Sequence, residues 1–194
     1  MRELRVTSAM TSPEPGLEEL VPLVRARRRR DVDVTEAYAA HSEELYSFLL
    51  HATRDPEAAR DLLQDSFLKL VTECRSGRTP LNVRAWLYRV AANLVVSRGR
   101  RLNVAARYIG RLVNPGAAVA ADKAVLRAEG DGELHAVLAG LPVASRAALL
   151  MSAHGFSGAE IAAALGRSAG ATRTLLARSR VRLRELLEER EVTL

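Results

Sequence analysis

Few residues in this chain of 194 are spaced for chemistry. Asp61 and Asp65 lie one helical turn apart, a spacing at which two carboxylates can share a metal ion. Without a fuller set of carboxylates around them, an acidic patch facing a partner is the stronger reading. His41, His51, His135 and His154 are scattered and show no ligand spacing. Ser97, Ser145 and Ser157 have no evident base partner, and Gly130-Asp131-Gly132 reads as a turn, not a phosphate loop. These residues suggest no catalytic constellation, no metal site and no cofactor. What is abundant is guanidinium. Residues 74–121 contain nine arginines and no acid. That chemistry suits a phosphate-rich ligand.

The densest part of that run is residues 81–101, LNVRAWLYRVAANLVVSRGRR. Pro80 keeps the entry extended and Asn82 can cap a helix. Val83, Trp86, Leu87, Val90, Ala91 and Leu94 follow helical spacing and predict one buried stripe, Trp86 included. Arg89, Asn93, Val96 and Arg100 fall on a different face. A solvated arginine face would look the same, so this helix alone does not separate that reading from nucleic-acid binding.

The rest of the chain must position that helix. Net charge is +6, aromatics are 4%, and apolar residues make up 48%, a balance that favours small helical bundles with an anionic partner. Only Lys69 and Lys123 among the 29 basic residues are lysine. One cysteine, Cys74, excludes a disulfide framework. No uncharged apolar run reaches the length of a membrane span, and no signal-peptide h-region opens the sequence, so a reducing cytoplasm is expected.

Residues 1–35 read as a tail, with a short helix at 17–24 and an arginine cluster at 25–30. Residues 31–65 then hold nine acids and two bases, Arg54 and Arg60. This reversal of sign before the basic run suggests two partners, one basic and one acidic. Leu45, Phe48, Leu49 and Ala52 mark a helix within 36–53. Asp55-Pro56 caps a second helix that packs Ala59, Leu63, Phe67, Leu70 and Val71, with Asp61, Gln64, Asp65 and Leu68 towards another side. Asn114-Pro115-Gly116 marks a linker with helical pieces at either end. Beyond it, Leu141-Pro142 opens a helix with Ala147, Leu150 and Met151 inside, ended at Gly155. Ser157 and Glu160 form a capping box, Gly166 ends a short helix holding Ile161 and Leu165, and Ser168 caps a longer basic one. Helix, glycine turn, basic helix is the helix-turn-helix pattern. No acid occurs from residue 161 to 184, while Arg173, Arg178, Arg180, Arg182 and Arg184 do. DNA binding is the better reading there.

Two blocks together resemble one family. Residues 55–67, DPEAARDLLQDSF, resemble the second conserved region of bacterial sigma factors. Residues 85–94, AWLYRVAANL, followed by Arg100-Arg101, resemble its promoter-melting and minus-ten-reading part. Leu141-Pro142, Gly155-Phe156-Ser157, Glu160-Ile161-Ala162, Leu165-Gly166 and Arg173-Thr174 resemble the fourth region. The spacing resembles the extracytoplasmic-function (ECF) class over residues 36–188. The resemblance implies an all-α chain of two small helical domains: a region-two bundle at 36–101 and a region-four helix-turn-helix at 138–189. Residues 102–137 would link them.

It further implies a sigma factor with no catalytic site of its own. Its partners would be promoter DNA and core RNA polymerase, held at the beta-prime clamp and the beta flap, and the family is commonly regulated by an anti-sigma factor. Asp61, Gln64 and Asp65 would meet the clamp. Arg89, Asn93, Arg100 and Arg101 would meet minus-ten DNA and melted strand. Arg173, Thr174 and Arg178 would read the minus-35 major groove, with Ala177 leaving room for close approach. Ser97 stands where the family usually has aspartate, Thr172 and Ser179 replace apolar residues, and Leu175 replaces a common basic one. The competing readings are a stand-alone helix-turn-helix regulator and a DNA-processing enzyme such as a recombinase. The latter needs a nucleophile or carboxylate metal cluster that the sequence does not display.

Overall fold

The structure is a computed structural model and describes residues 32–112 and 131–191. The helix expected at 17–24, the arginine cluster at 25–30 and the break at 114–116 lie outside the described residues. The described part is all-α: an N-terminal helical bundle followed by a C-terminal helix-turn-helix. Its seven helices are α1 (Val34–Thr53), α2 (Pro56–Arg75), α3 (Val83–Leu112), α4 (Asp131–Ala139), α5 (Val143–Ala153), α6 (Gly158–Leu165) and α7 (Ala169–Glu191).

Local signals set most helix ends. Asp33 Oδ1 accepts from the amides of Thr35 and Glu36 at 2.8 and 3.3 Å and starts α1. Asp55 does the same for α2, from Glu57 and Ala58 at 3.1 and 3.0 Å, with Pro56 supplying a fixed φ where an amide would be unsatisfied anyway. Asn82 Oδ1 accepts from Ala85 at 2.9 Å and starts α3. Between α1 and α2, Arg54 sits in the left-handed region at φ 65°, a conformation that disfavours side chains with a Cβ.

α3 lies at the centre, packed by α1 and α2 on one flank and by α5 and α6 on the other. This two-sided cover changes the expected stripe. Leu87 and Ala91 are fully buried as expected, but so are Tyr88, Ala92 and Val95, while Val83, Trp86, Val90 and Leu94 are only half-buried. A single helical stripe assumes one packing partner; with two, the buried arc widens and its centre moves to Tyr88. One apolar cluster runs through both halves of the chain. It joins Leu45, Phe48, Leu49, Leu70 and Tyr88 to Met151, Phe156, Ile161 and Leu176.

A polar cluster crosses the same junction. The Arg84 guanidinium holds both carboxylate oxygens of Glu44, with Nε 3.2 Å from Oε2, and Nη2 donates to the His154 carbonyl at 3.1 Å. The guanidinium also lies 5.1 Å from the ring centre of Tyr88 and 4.7 Å from that of Phe156. His154 Nδ1 is 3.1 Å from Glu44 Oε1 and 3.2 Å from the Tyr88 hydroxyl. The Arg84 hydrogen bonds hold the Glu44 carboxyl down to about 2, and burial pushes the Tyr88 phenol up.

A carboxyl with a lowered folded pKa adds stability above its unfolded value and loses it as pH falls through the folded one. Glu44 therefore contributes fully above its ordinary value of 4.5 and progressively loses that contribution down to about 2. Urea melts of wild type and Glu44→Gln across this window should converge as pH falls. A constant gap between the two would exclude the ionised Glu44 contact from the stability of the fold.

Candidate nucleic-acid interface

The ten residues singled out from the sequence are all exposed, and they fall on three separate surfaces. On α2, Asp61, Gln64 and Asp65 share a face at three- and four-residue steps. Neither carboxylate makes an ion pair among the described residues. The same face carries Leu68, 55% exposed, one further turn along. Beside it runs a groove of about 390 Å³ lined by Tyr38, Leu63, Gln64, Phe67, Leu68 and Val71, among others. Tyr38 packs on Phe67 with ring centres 4.8 Å apart. The acidic face thus borders an apolar groove, a pairing that suits a basic partner with apolar side chains of its own. Sequence reading missed the groove; its one signal was Leu68 at a seven-residue step from Asp61.

On α3, Arg89, Asn93 and Arg100 lie along one exposed strip, with Arg101 round the helix from them. From Arg89 to Arg100 the strip is about 16 Å long at 1.5 Å per residue, roughly the rise of five base pairs. Arg98 is not part of it: its Nη2 donates to Asp55 Oδ2 at 3.1 Å, which ties the α2 cap to α3. Trp86 packs against the core, as read in the sequence, but at its edge. Half-buried, it lines a groove of about 370 Å³ with Leu81, Asn82, Arg89, Met151 and Glu160 at the border of α3 and α6.

The helix-turn-helix is α6, the turn at Gly166 (φ 60°) and α7. Ser157 and Glu160 cap α6 reciprocally, and those hydrogen bonds lower the Glu160 pKa. Ser168 Oγ accepts from Ala171 at 3.2 Å and starts α7. Arg173, Thr174, Ala177 and Arg178 are exposed on its first three turns. Thr174 donates its hydroxyl to Gly170 O at 3.1 Å. The structure sorts the arginines of α7. Arg180 Nη2 reaches Ser152 Oγ at 3.3 Å, and Arg182 Nη1 reaches Glu185 and Glu189 at 3.0 and 3.2 Å. Arg173 and Arg178 have no such anchor among the described residues. Leu175, where a basic side chain was expected, is half-buried and so off the open face.

The histidines are less scattered than their spacing suggested. His154 belongs to the Glu44–Arg84 cluster, and His51 stacks on His135 with ring centres 4.7 Å apart. Among the described residues no group of histidines, cysteines or carboxylates could hold a metal ion. No described helix is long and apolar enough to cross a membrane.

With this geometry in place, comparison with known proteins is specific. Residues 37–111 match the sigma-70 region 2 family, and residues 131–183 match sigma-70 region 4. The chain is 29% identical over 161 residues to the ECF RNA polymerase sigma factor SigM of Mycobacterium tuberculosis, which covers 78% of this chain and 76% of that protein. It is 31% identical over 74 residues to the RNA polymerase sigma factor YlaC of Bacillus subtilis, covering 38% of this chain and only 42% of YlaC. Among solved structures, it resembles the sigma factor RpoE of Bartonella quintana, solved in complex with the anti-sigma factor NepR. The TM-score is 0.60 at 25% identity, over 80% of this chain and 97% of that one. CnrH, solved with the cytosolic domain of CnrY, shares the fold at a TM-score of 0.55 and 21% identity, over 87% of this chain and 96% of that one.

Beneath the exposed face of α7, Thr172 is 1% exposed and its Oγ1 has no partner. Ser179, equally buried, donates to Leu175 O at 2.7 Å. A buried hydroxyl without a partner forfeits its hydration, at a cost of about 1–3 kcal/mol. Thr172→Val keeps the shape and removes the hydroxyl, so it should raise unfolding free energy by about 1 kcal/mol in urea melts, while Ser179→Ala should not. A destabilised Thr172→Val would mean that the hydroxyl is satisfied in solution.

Proposed function

We infer that this chain belongs to the extracytoplasmic-function class of the sigma-70 family, the initiation factors of RNA polymerase. On that footing we propose that it binds core RNA polymerase and directs promoter-specific transcription initiation. It would act as a regulatory subunit with no catalytic step of its own, in the cytoplasm where the polymerase works. The observation that carries this reading is the separation of three exposed faces, one acidic and two acid-poor and cationic, on the two matched regions in their family order.

Each face has its own task. Asp61, Gln64 and Asp65 dock on the beta-prime clamp: the carboxylates attract its cations, and the adjoining Tyr38–Leu68 groove takes apolar side chains. Arg89, Asn93, Arg100 and Arg101 meet the minus-ten element. There the strip holds phosphate while Asn93 offers an amide to a base edge. An opened strand needs both cations and a surface for an unstacked base, because unstacking costs a few kcal/mol. Arg173, Thr174 and Arg178 enter the minus-35 major groove, where arginine recognises guanine through O6 and N7 or else binds phosphate. We assign 36–101 and 138–189 to these two promoter-reading domains and 102–137 to the connection between them. Further partners would be the beta flap, for the second domain, and an inhibitor of anti-sigma type, such as the RpoE relative carries.

Run-off transcription with core polymerase on a random-promoter library tests the whole reading. Starts enriched downstream of one shared sequence are expected, and no product with active core enzyme would sink the assignment. Asp61→Arg and Asp65→Arg should weaken core binding without unfolding the chain, because exposed sites off the packing surface change stability by only about 0.5 kcal/mol. Unchanged core affinity of the folded variants would remove these residues from the interface.

The two cationic faces should fail differently. Arg173→Ala should lose discrimination at one or two minus-35 bases, at about 1–3 kcal/mol if the contact is bidentate. Arg100→Ala should weaken many promoters alike and lower the salt slope by about one unit, since one phosphate contact is lost. Holoenzyme binding to a promoter panel at several salt concentrations reads both. Uniform loss for Arg173→Ala, or altered base preference for Arg100→Ala, would reverse the two roles.

A further inference from the structure

The start of α5 carries a charge with no counter-charge beside it among the described residues. Arg146 is only 6% exposed, and its Nε and Nη1 are buried without a hydrogen-bond partner. Burial, then the like charge of Arg54, lowers its pKa from 12.5 to about 10, which leaves the guanidinium protonated at neutral pH. A buried, unpaired cation is costly, because it gives up hydration and gains no opposite charge in return.

The groups around it are of one sign. Arg54 follows the last turn of α1 in the left-handed region at φ 65°, with its side chain exposed. The carboxylate next to it is already engaged: Asp55 accepts from Arg98 at 3.1 Å and from the amides of Glu57 and Ala58. On α5 itself the first turn holds no acid, and Pro142 at the cap position supplies no side-chain acceptor. Arg146 N donates the first helical bond, to Pro142 O at 3.0 Å, so the amides of Val143, Ala144 and Ser145 precede the ladder. Such a helix start has N–H groups aimed along the axis and a partial positive charge, which together favour an anion. Arg146 is the fourth residue of α5. Helical side chains leave the backbone leaning towards the N-terminus, so Arg146 extends over that same turn.

We propose that the start of α5, with Arg146 and Arg54, binds a small phosphoryl anion, either inorganic phosphate or the phosphate of a mononucleotide. Guanidinium groups suit phosphate oxygens, and the first amides of α5 add further donors. The bound anion supplies Arg146 with its missing counter-charge and so stabilises the fold. The narrow opening at Arg146 selects a small ion over the backbone of a duplex. This site is separate from the three faces assigned above and does not rest on the sigma-factor reading.

Thermal unfolding of the full chain in sodium phosphate and in sodium chloride of equal ionic strength tests the site. Phosphate should raise Tm in a saturable way that chloride does not reproduce. Arg146→Gln drops the charge and should weaken phosphate binding at least about ten-fold, the equivalent of one charge-assisted hydrogen bond. Arg75→Gln, an equal loss of charge at an exposed position of α2, should keep the wild-type gain. A linear rise shared by wild type and Arg146→Gln is the general salting effect of phosphate and would overturn the proposal, as would equal gains in phosphate and chloride. If Arg146→Gln does not fold, Arg54→Gln decides, since Arg54 is exposed and its loss leaves the packing intact. An undiminished phosphate gain in that variant would exclude the site, and a several-fold weaker one supports it. Titration with AMP separates the two sources. Tighter binding than inorganic phosphate identifies a nucleotide, equal or weaker binding identifies the free ion, and either supports the site. No arm reads transcription, so failure here leaves the sigma-factor reading untouched.

Discussion

The burial of α3 on two flanks is the constraint from which most of this molecule follows. A helix packed by α1 and α2 on one side and by α5 and α6 on the other retains a single open strip. Small side chains make that double cover possible: Ala91, Ala92 and Gly99 let neighbours approach the backbone. At Gly99 a methyl would come within 3.1 Å of Val143 Cγ2, so the glycine is there for space. Once these positions face inward, the rotation of the helix is fixed. Arg89, Asn93 and Arg100 then have nowhere to point but outward. Turning α3 by one residue, about 100°, would drive a guanidinium into the core without a partner, at a cost of several kcal/mol.

Electrostatics refines what packing begins. The arginines divide into those tied down and those left open. Arg78 pairs with Glu73, Arg84 with Glu44, Arg98 with Asp55, and Arg182 with Glu185 and Glu189. Such half-exposed pairs add little stability, typically under about 1 kcal/mol. Their effect is geometric: Arg98 ties the start of α2 to α3, and Arg84 ties α3 to the turn before α6. Among the described residues the arginines of the two cationic faces make no ion pair, Arg89 acting on Glu73 only through space, so their charge is available to phosphate. On α2 the acids Asp61 and Asp65 make no ion pair among the described residues, although Arg60 and Lys69 stand close in sequence, and Leu68 is exposed. Charge sorting of this kind favours two partners of opposite sign at once.

Short-range physics was legible in the sequence, and long-range pairing was not. The caps at Asp55, Asn82, Ser157 and Ser168 and the stops at Gly155 and Gly166 depend on neighbours within a few residues, and each is where the spacing placed it. The outward set on α2, α3 and α7 was legible for the same reason, since helical period separates faces. Period does not say how many partners a helix has. Hence Tyr88 was missed as core, while Trp86 and Leu63 pack on the core at its edge and also line grooves, as Val71 does. The Arg84 cluster joins residues 40 and 70 positions apart, and nothing in a local window connects Glu44 to His154. Thr172 and Ser179 were legible as polar residues on an apolar face, but only the structure shows that one hydroxyl is satisfied and the other is not.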